Sequence, residues 1–140
     1  MRVMVLVKAN TESEAGILPS PDFFAAMGKF NEELVKAGVM QAGEGLKPSA
    51  QGARVTFAGM KREVSQGPFP DSKNLVAGFW LWQVKSKDEA IDWLKRAPFE
   101  DATVEIRPLY EAADFAPSDP TGELRASESR LREAVETRKP

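Results

Sequence analysis

Apolar residues recur along this chain in two periods, and the changes of period mark its elements. Val3 to Lys8 is apolar on both faces for most of its length, which predicts a strand covered on both sides. Residues 9–20 are polar and read as a loop. Ser20-Pro21-Asp22 then opens a helix: serine suits the N-cap, proline the first helical position and aspartate the helix dipole. Phe23, Met27, Phe30 and Leu34 follow at spacings of four, three and four, one stripe of an amphipathic helix that Gly38 stops. Val39 to Leu46 predicts a second strand loosened by Gly43 and Gly45, and Arg54 to Ala58 with Lys61 to Val64 predicts a hairpin about Gly59. Leu75 to Val84 is the most apolar run and reads as a central strand. Ser86 to Glu89 is a capping box. The helix it starts carries Ala90, Ile91, Leu94 and Ala97 inward and ends at Pro98. In the last strand, Thr103 to Leu109, Val104 and Ile106 face one side and Glu105 and Arg107 the other.

Strand, helix, strand, hairpin, strand, helix, strand is the order of an α+β, ferredoxin-like split βαβ fold with an inserted β-hairpin. Both helices then cover one face of an antiparallel sheet. The strand over 75–84 is apolar on its other face too, so a second copy is the economical cover. That predicts a homodimer joined face to face. Residues 1–110 form this domain, and residues 111–140 a linker and a C-terminal helix that packs on the domain or on the dimer partner. Phe115 is the anchor of the linker, and Asp119-Pro120 starts a helix running to about Thr137. Leu124, Leu131 and Val135 give that helix a thin apolar stripe, and Glu128 with Arg132 an i,i+4 ion pair.

Composition narrows the chemistry. Among 140 residues there are 19 Lys and Arg against 21 Asp and Glu, a mildly acidic balance with no basic run, which argues against nucleic acid. No segment approaches the apolar length of a membrane span, and the first eight residues are too short for a secretory signal, so a cytoplasmic protein is expected. The absence of cysteine and histidine excludes disulfides, thiolate nucleophiles and Ser-His or Cys-His triads. Proton transfer would fall to Asp, Glu, Lys, Tyr110 or the substrate. Gly43-Glu44-Gly45 lacks the third glycine and following helix of a dinucleotide fingerprint, and no acidic run has calcium-loop spacing. No cofactor or metal is expected.

The candidate chemistry gathers near the central strand. Gly67-Pro68-Phe69 either shapes a pocket or is a turn with Phe69 seated in the core. Asp71, Ser72 and Lys73 follow, able to bind a polar ligand or exchange protons, or to form a weakly paired surface loop. If Val104 and Ile106 face the helices, Glu105 and Arg107 project into a cleft. Arg107 would there suit a carboxylate or phosphate, and Glu105 a base; alternatively the two form a salt bridge. Glu44 is a further acid able to reach that face. Trp80 and Trp82 share a strand face, as an aromatic wall or as core or interface packing. Lys8 ends the first strand, at the cleft rim or in solvent.

These residues suggest a family. Gly43-Glu44-Gly45-Leu46-Lys47-Pro48 resembles the GEGLxP segment of YciI-like (YCII-related) proteins, and Gln66-Gly67-Pro68-Phe69-Pro70-Asp71-Ser72-Lys73-Asn74 resembles the DGPFAETKE signature of one branch. Gly78-Phe79, the helix at Asp88 to Trp93, Ala97-Pro98 and Val104 to Pro108 fall in the family's order, covering about residues 1–110. The resemblance implies a dimeric α/β-barrel with a cleft on the sheet face away from the helices. It also implies, by analogy, cofactor-independent enzymes. Gln66 stands where the signature opens on aspartate, and the His-Asp pair attributed to YciI proteins proper cannot form without histidine. The leading expectation is a homodimer with a cleft for a small polar or anionic ligand. Its lining would be Glu44, Asp71, Ser72, Lys73, Glu105 and Arg107. The alternative is a non-catalytic interaction or regulatory module that uses the tail helix.

Overall fold

The computed structural model describes residues 1–138, so the last two positions of the 111–140 segment lie outside the described residues. These residues divide into two compact units that meet in sequence at Pro108 and Leu109. The first unit contains β1 (Arg2–Lys8), α1 (Thr11–Glu14), α2 (Pro21–Lys36), β2 (Met40–Gly45), β3 (Ala53–Ala58), β4 (Lys61–Gln66), β5 (Val76–Gln83), α3 (Lys87–Lys95) and β6 (Val104–Pro108). β2, β5, β1 and β6 form one antiparallel sheet in that spatial order, and β3 and β4 form a separate hairpin. With the hairpin set aside, this is the ferredoxin-like strand order. The sheet is open, with β2 and β6 as its edges, and does not close into a barrel within the chain.

Local chemistry sets the helix boundaries. Ser20 caps α2 by accepting the Phe23 amide, and Gly38 adopts a φ of 72° just past its end, a left-handed conformation that glycine tolerates. Ser86 caps α3 in the same way through Glu89. The stretch expected to be a plain loop instead holds α1. Asn10 and Ser13 form a reciprocal capping box there, at 2.8 and 2.9 Å. Two short polar side chains three apart are enough to nucleate this single turn, and the apolar pattern gave no sign of it.

The core lies between the sheet and α2 and α3. Val3 and Val5 of β1, Trp80 and Trp82 of β5, Phe30 and Leu34 of α2, and Ala90 of α3 are all buried. The Phe30 ring stands edge-on to Trp80 at 5.9 Å and to Trp82 at 6.4 Å. Full burial of each large apolar side chain stabilises by roughly 1.5–3 kcal/mol. Gly43 is required by this packing, because a Cβ there would lie 2.8 Å from the Trp80 ring. The two tryptophans thus belong to the core, not to a ligand wall.

The second unit departs from a plain linker and helix. Ala112–Ser118 forms a 3-10 segment, with Phe115 half exposed beside Tyr110 at 5.1 Å between ring centres. The last helix, α4, spans Glu123–Thr137, starting later than Asp119-Pro120 suggested. Asp119 nevertheless caps it, because Gly122 folds back with a φ of 77° and brings the Leu124 and Arg125 amides to the carboxylate. Glu128 and Arg132 pair at 3.3 Å. Among the described residues no helix is long and apolar enough to cross a membrane.

Candidate functional site

Antiparallel register sorts the sheet into two faces. Val3, Val5, Trp80, Trp82, Val104 and Ile106 turn toward the helices, so the side of β6 that Val104 and Ile106 share is the helix side. The opposite face is built in rows across all four strands. One row runs Glu44, Phe79, Leu6, Glu105, and the next Ala42, Leu81, Met4, Arg107. The two central strands therefore lay a half-buried apolar floor, and the edge strands carry the charges.

At the β6 edge the charges form a triad. Glu105 reaches Arg107 Nη1 at 3.3 Å and Lys8 Nζ at 3.6 Å, one carboxylate shared by two cations. Lys8, expected at the rim or in solvent, is only 24% exposed at its side chain, whereas Arg107 is 70% exposed. The pairing of Glu105 with Arg107 makes the salt-bridge alternative a fact of the site, but it occupies little of the guanidinium. The other Arg107 N–H donors have no partner among the described residues. One exposed carboxylate against two cations leaves a net positive edge, suited to an anion.

Not every expected residue joins this group. Glu44 lies on the same face but on β2, three strand spacings away, roughly 14 Å at about 4.8 Å each. It cannot act with Glu105 on the same small group within one chain. Ser72 and Lys73 lie in a 3-10 turn, Ser72–Asn74, which adjoins the end of β1 next to Lys8. Ala9 N–H donates to Leu75 O at 2.9 Å and ties that turn to the strand. Asp71 is exposed, holds a left-handed φ of 70°, and accepts the Asn74 side-chain amide. Its carboxylate is thus engaged locally.

Gly67-Pro68-Phe69 matches neither reading in full. The Gly67–Pro68 bond is cis, and Phe69 is half-buried outside the core cluster, under the Arg54 guanidinium at 3.9 Å. What fixes this loop is Ser49, which sequence reasoning missed together with Glu14. Ser49 Oγ accepts the Phe69 amide at 3.0 Å, and Glu14 accepts both the Ser49 amide and hydroxyl. The signal for Ser49 was its place directly after the Gly43 to Pro48 motif; nothing in the sequence pattern pointed to Glu14.

A hollow of about 290 Å³ lies elsewhere, between α3 and β6, lined by Ile91, Leu94, Lys95, Val104 and Ile106. Its lining holds one amine and no carboxylate.

The family model described as a YCII-related domain matches residues 1–115. A search of curated proteins gives no match. A similar solved structure is 5-chloro-2-hydroxyhydroquinone dehydrochlorinase from Burkholderia phenoliruptrix AC1100, in complex with 2,5-dihydroxybenzoquinone. It shares 20% sequence identity over 81% of this chain and 98% of that chain, with a TM-score of 0.40.

Proposed function

The chain belongs to the YCII-related family, and from that premise we propose that it is a homodimer that binds a small anionic ligand on the open sheet face. The observation that carries this reading is the Lys8–Glu105–Arg107 triad at the edge of the apolar floor. Arg107 offers a planar fork of donors to a carboxylate or phosphate, and Met4, Leu6, Phe79 and Leu81 would seat the apolar body attached to it. Lys73, on the turn beside Lys8, is a second anchor. A second copy would cover the floor and exclude water, which strengthens each charge-assisted bond. Should the site be an enzyme, Glu105 is the base in place, beside Arg107 and Lys8.

Benzoate, an anion with an apolar body, is a suitable probe. Titration followed by NMR should move the Arg107 side-chain signals. Arg107→Ala should weaken binding roughly 10- to 100-fold, as expected for a lost charge-assisted bond of about 1.5–3 kcal/mol. Sedimentation of the same variant should be unchanged. If Arg107→Ala instead dissociates the dimer, Arg107 belongs to the interface and the anion reading fails.

One observation favours the second reading, a non-catalytic interaction module. Leu124, Leu131 and Val135 on α4 are 62–69% exposed, an apolar stripe with polar surroundings. If α4 is a partner surface, removing residues 119–140 leaves the unfolding midpoint and oligomeric state of the remainder unchanged. A lower midpoint would make the helix structural.

A further inference from the structure

Two residues outside the proposed ligand set govern the loop that belongs to it. Phe69 N–H donates to Ser49 Oγ at 3.0 Å, Ser49 Oγ–H to Glu14 Oε2 at 2.5 Å, and Ser49 N–H to Glu14 Oε1 at 3.1 Å. A hydroxyl has one proton. The Phe69 amide takes an acceptor position on Ser49, so that proton goes to the carboxylate, and the direction of the chain is fixed. These bonds span 20 and 35 residues of sequence and join three segments that share no ladder. The fit beneath them is close. Gly67 N–H donates to Gly52 O at 3.0 Å, and a Cβ on Gly67 would fall 1.6 Å from Ser49 O. From Phe69 the chain passes through Asp71 directly into the turn bearing Ser72 and Lys73.

We infer that Glu14 and Ser49 are positioning residues. Their carboxylate–hydroxyl–amide relay fixes Phe69 and thereby sets where Ser72 and Lys73 rest beside Lys8. The role assigned to Lys73 rests on the anion-binding reading; the immobilisation of the loop does not.

Hydrogen exchange on the full chain separates local positioning from a general contribution to folding. In Ser49→Ala, exchange at Phe69, Asn74 and Leu75 should rise about tenfold or more, with Val5 and Trp82 unchanged. Ser49→Thr retains a hydroxyl and should restore the protection. Glu14→Gln keeps the side-chain shape but removes the charge, and should raise exchange at the same amides. Unchanged protection at Phe69 in Ser49→Ala and Glu14→Gln would overturn the inference. So would an equal rise at Val5 and Trp82, which would make the pair a folding contact. No ligand enters this measurement, so a failure of benzoate binding would sink the anion reading and leave this result to stand or fall separately.

Discussion

Trp80 and Trp82 show what one residue's hydrogen bonding decides. Both are buried on the helix face of β5, their rings tilted with centres 5.5 Å apart, and either would lose the same ring volume on change to phenylalanine. Trp80 Nε1 donates to Asn31 Oδ1 at 2.9 Å, whereas Trp82 Nε1 is buried with no partner among the described residues. A buried orphan donor costs about 1–3 kcal/mol. Trp82→Phe removes that cost while opening a cavity, and Trp80→Phe opens a cavity and strands Asn31. Trp80→Phe should therefore be more destabilising by about 1–2 kcal/mol, read as a difference in urea midpoints at equal slope. Equal losses would mean that the Trp82 donor is satisfied in solution. The sequence revealed that the two indoles share a face, because strand periodicity is local. It could not reveal which face the helices cover, because that depends on the order of four strands.

The elements divide between those written in local pattern and those fixed by distant contacts. α2, α3 and β5 were legible because capping residues and apolar spacing agree. The β3–β4 hairpin was legible from Gly59 and its flanking alternation. Its separation from the main sheet followed from reading it as an insertion, but how far its apolar residues are exposed did not. Val55, Phe57 and Val64 lie on one hairpin face at 50–69% exposure, although their alternation resembles that of a covered strand. α4 shows how an element can begin away from its cap. Asp119 is buried, and its carboxyl is held below the usual range, first by the Arg125 backbone N–H, then by the Arg125 side chain and the Leu124 amide. Burial pushes the other way and is outweighed. A carboxyl lowered on folding contributes stability above its unfolded value and loses it as pH falls through the folded one. The start of α4 should therefore hold as pH drops to the ordinary value of 3.8 and fray only below it. NMR of the Leu124 and Arg125 amides would follow this. Asp119→Ala should fray the same turn at neutral pH with no acid transition of its own. Fraying of the native turn well above 3.8 would remove Asp119 from this role.

For the whole molecule, the proposed site and the proposed dimer share the open sheet face. The sequence put Glu105 and Arg107 together on one side of β6, because the alternation there is strict; that this side lies away from the helices follows from the packing of Val104 and Ile106 against the core. The sequence could not show that Lys8 joins them and Glu44 does not, because that follows from the order β2, β5, β1, β6. The same order puts Phe79, Leu81, Met4 and Leu6 at the centre of the face, where a single chain leaves them half-buried. A second copy laid on this face would bury them, with the charged edges at the rim of the contact. Leu81→Lys tests this. On an open face the lysine stem lies along the apolar floor and its amine reaches water, at little cost to the monomer. Between two floors the same amine would be buried without a partner, at several kcal/mol. Sedimentation should thus shift from dimer to monomer in Leu81→Lys while the thermal midpoint of the monomer stays near that of a dilute native sample. A native chain that sediments as a monomer at tens of micromolar would refute the assembly and leave the anion site open to water. Benzoate affinity would then be set by the triad alone, and the floor residues Leu6 and Phe79 could be replaced by alanine without weakening it.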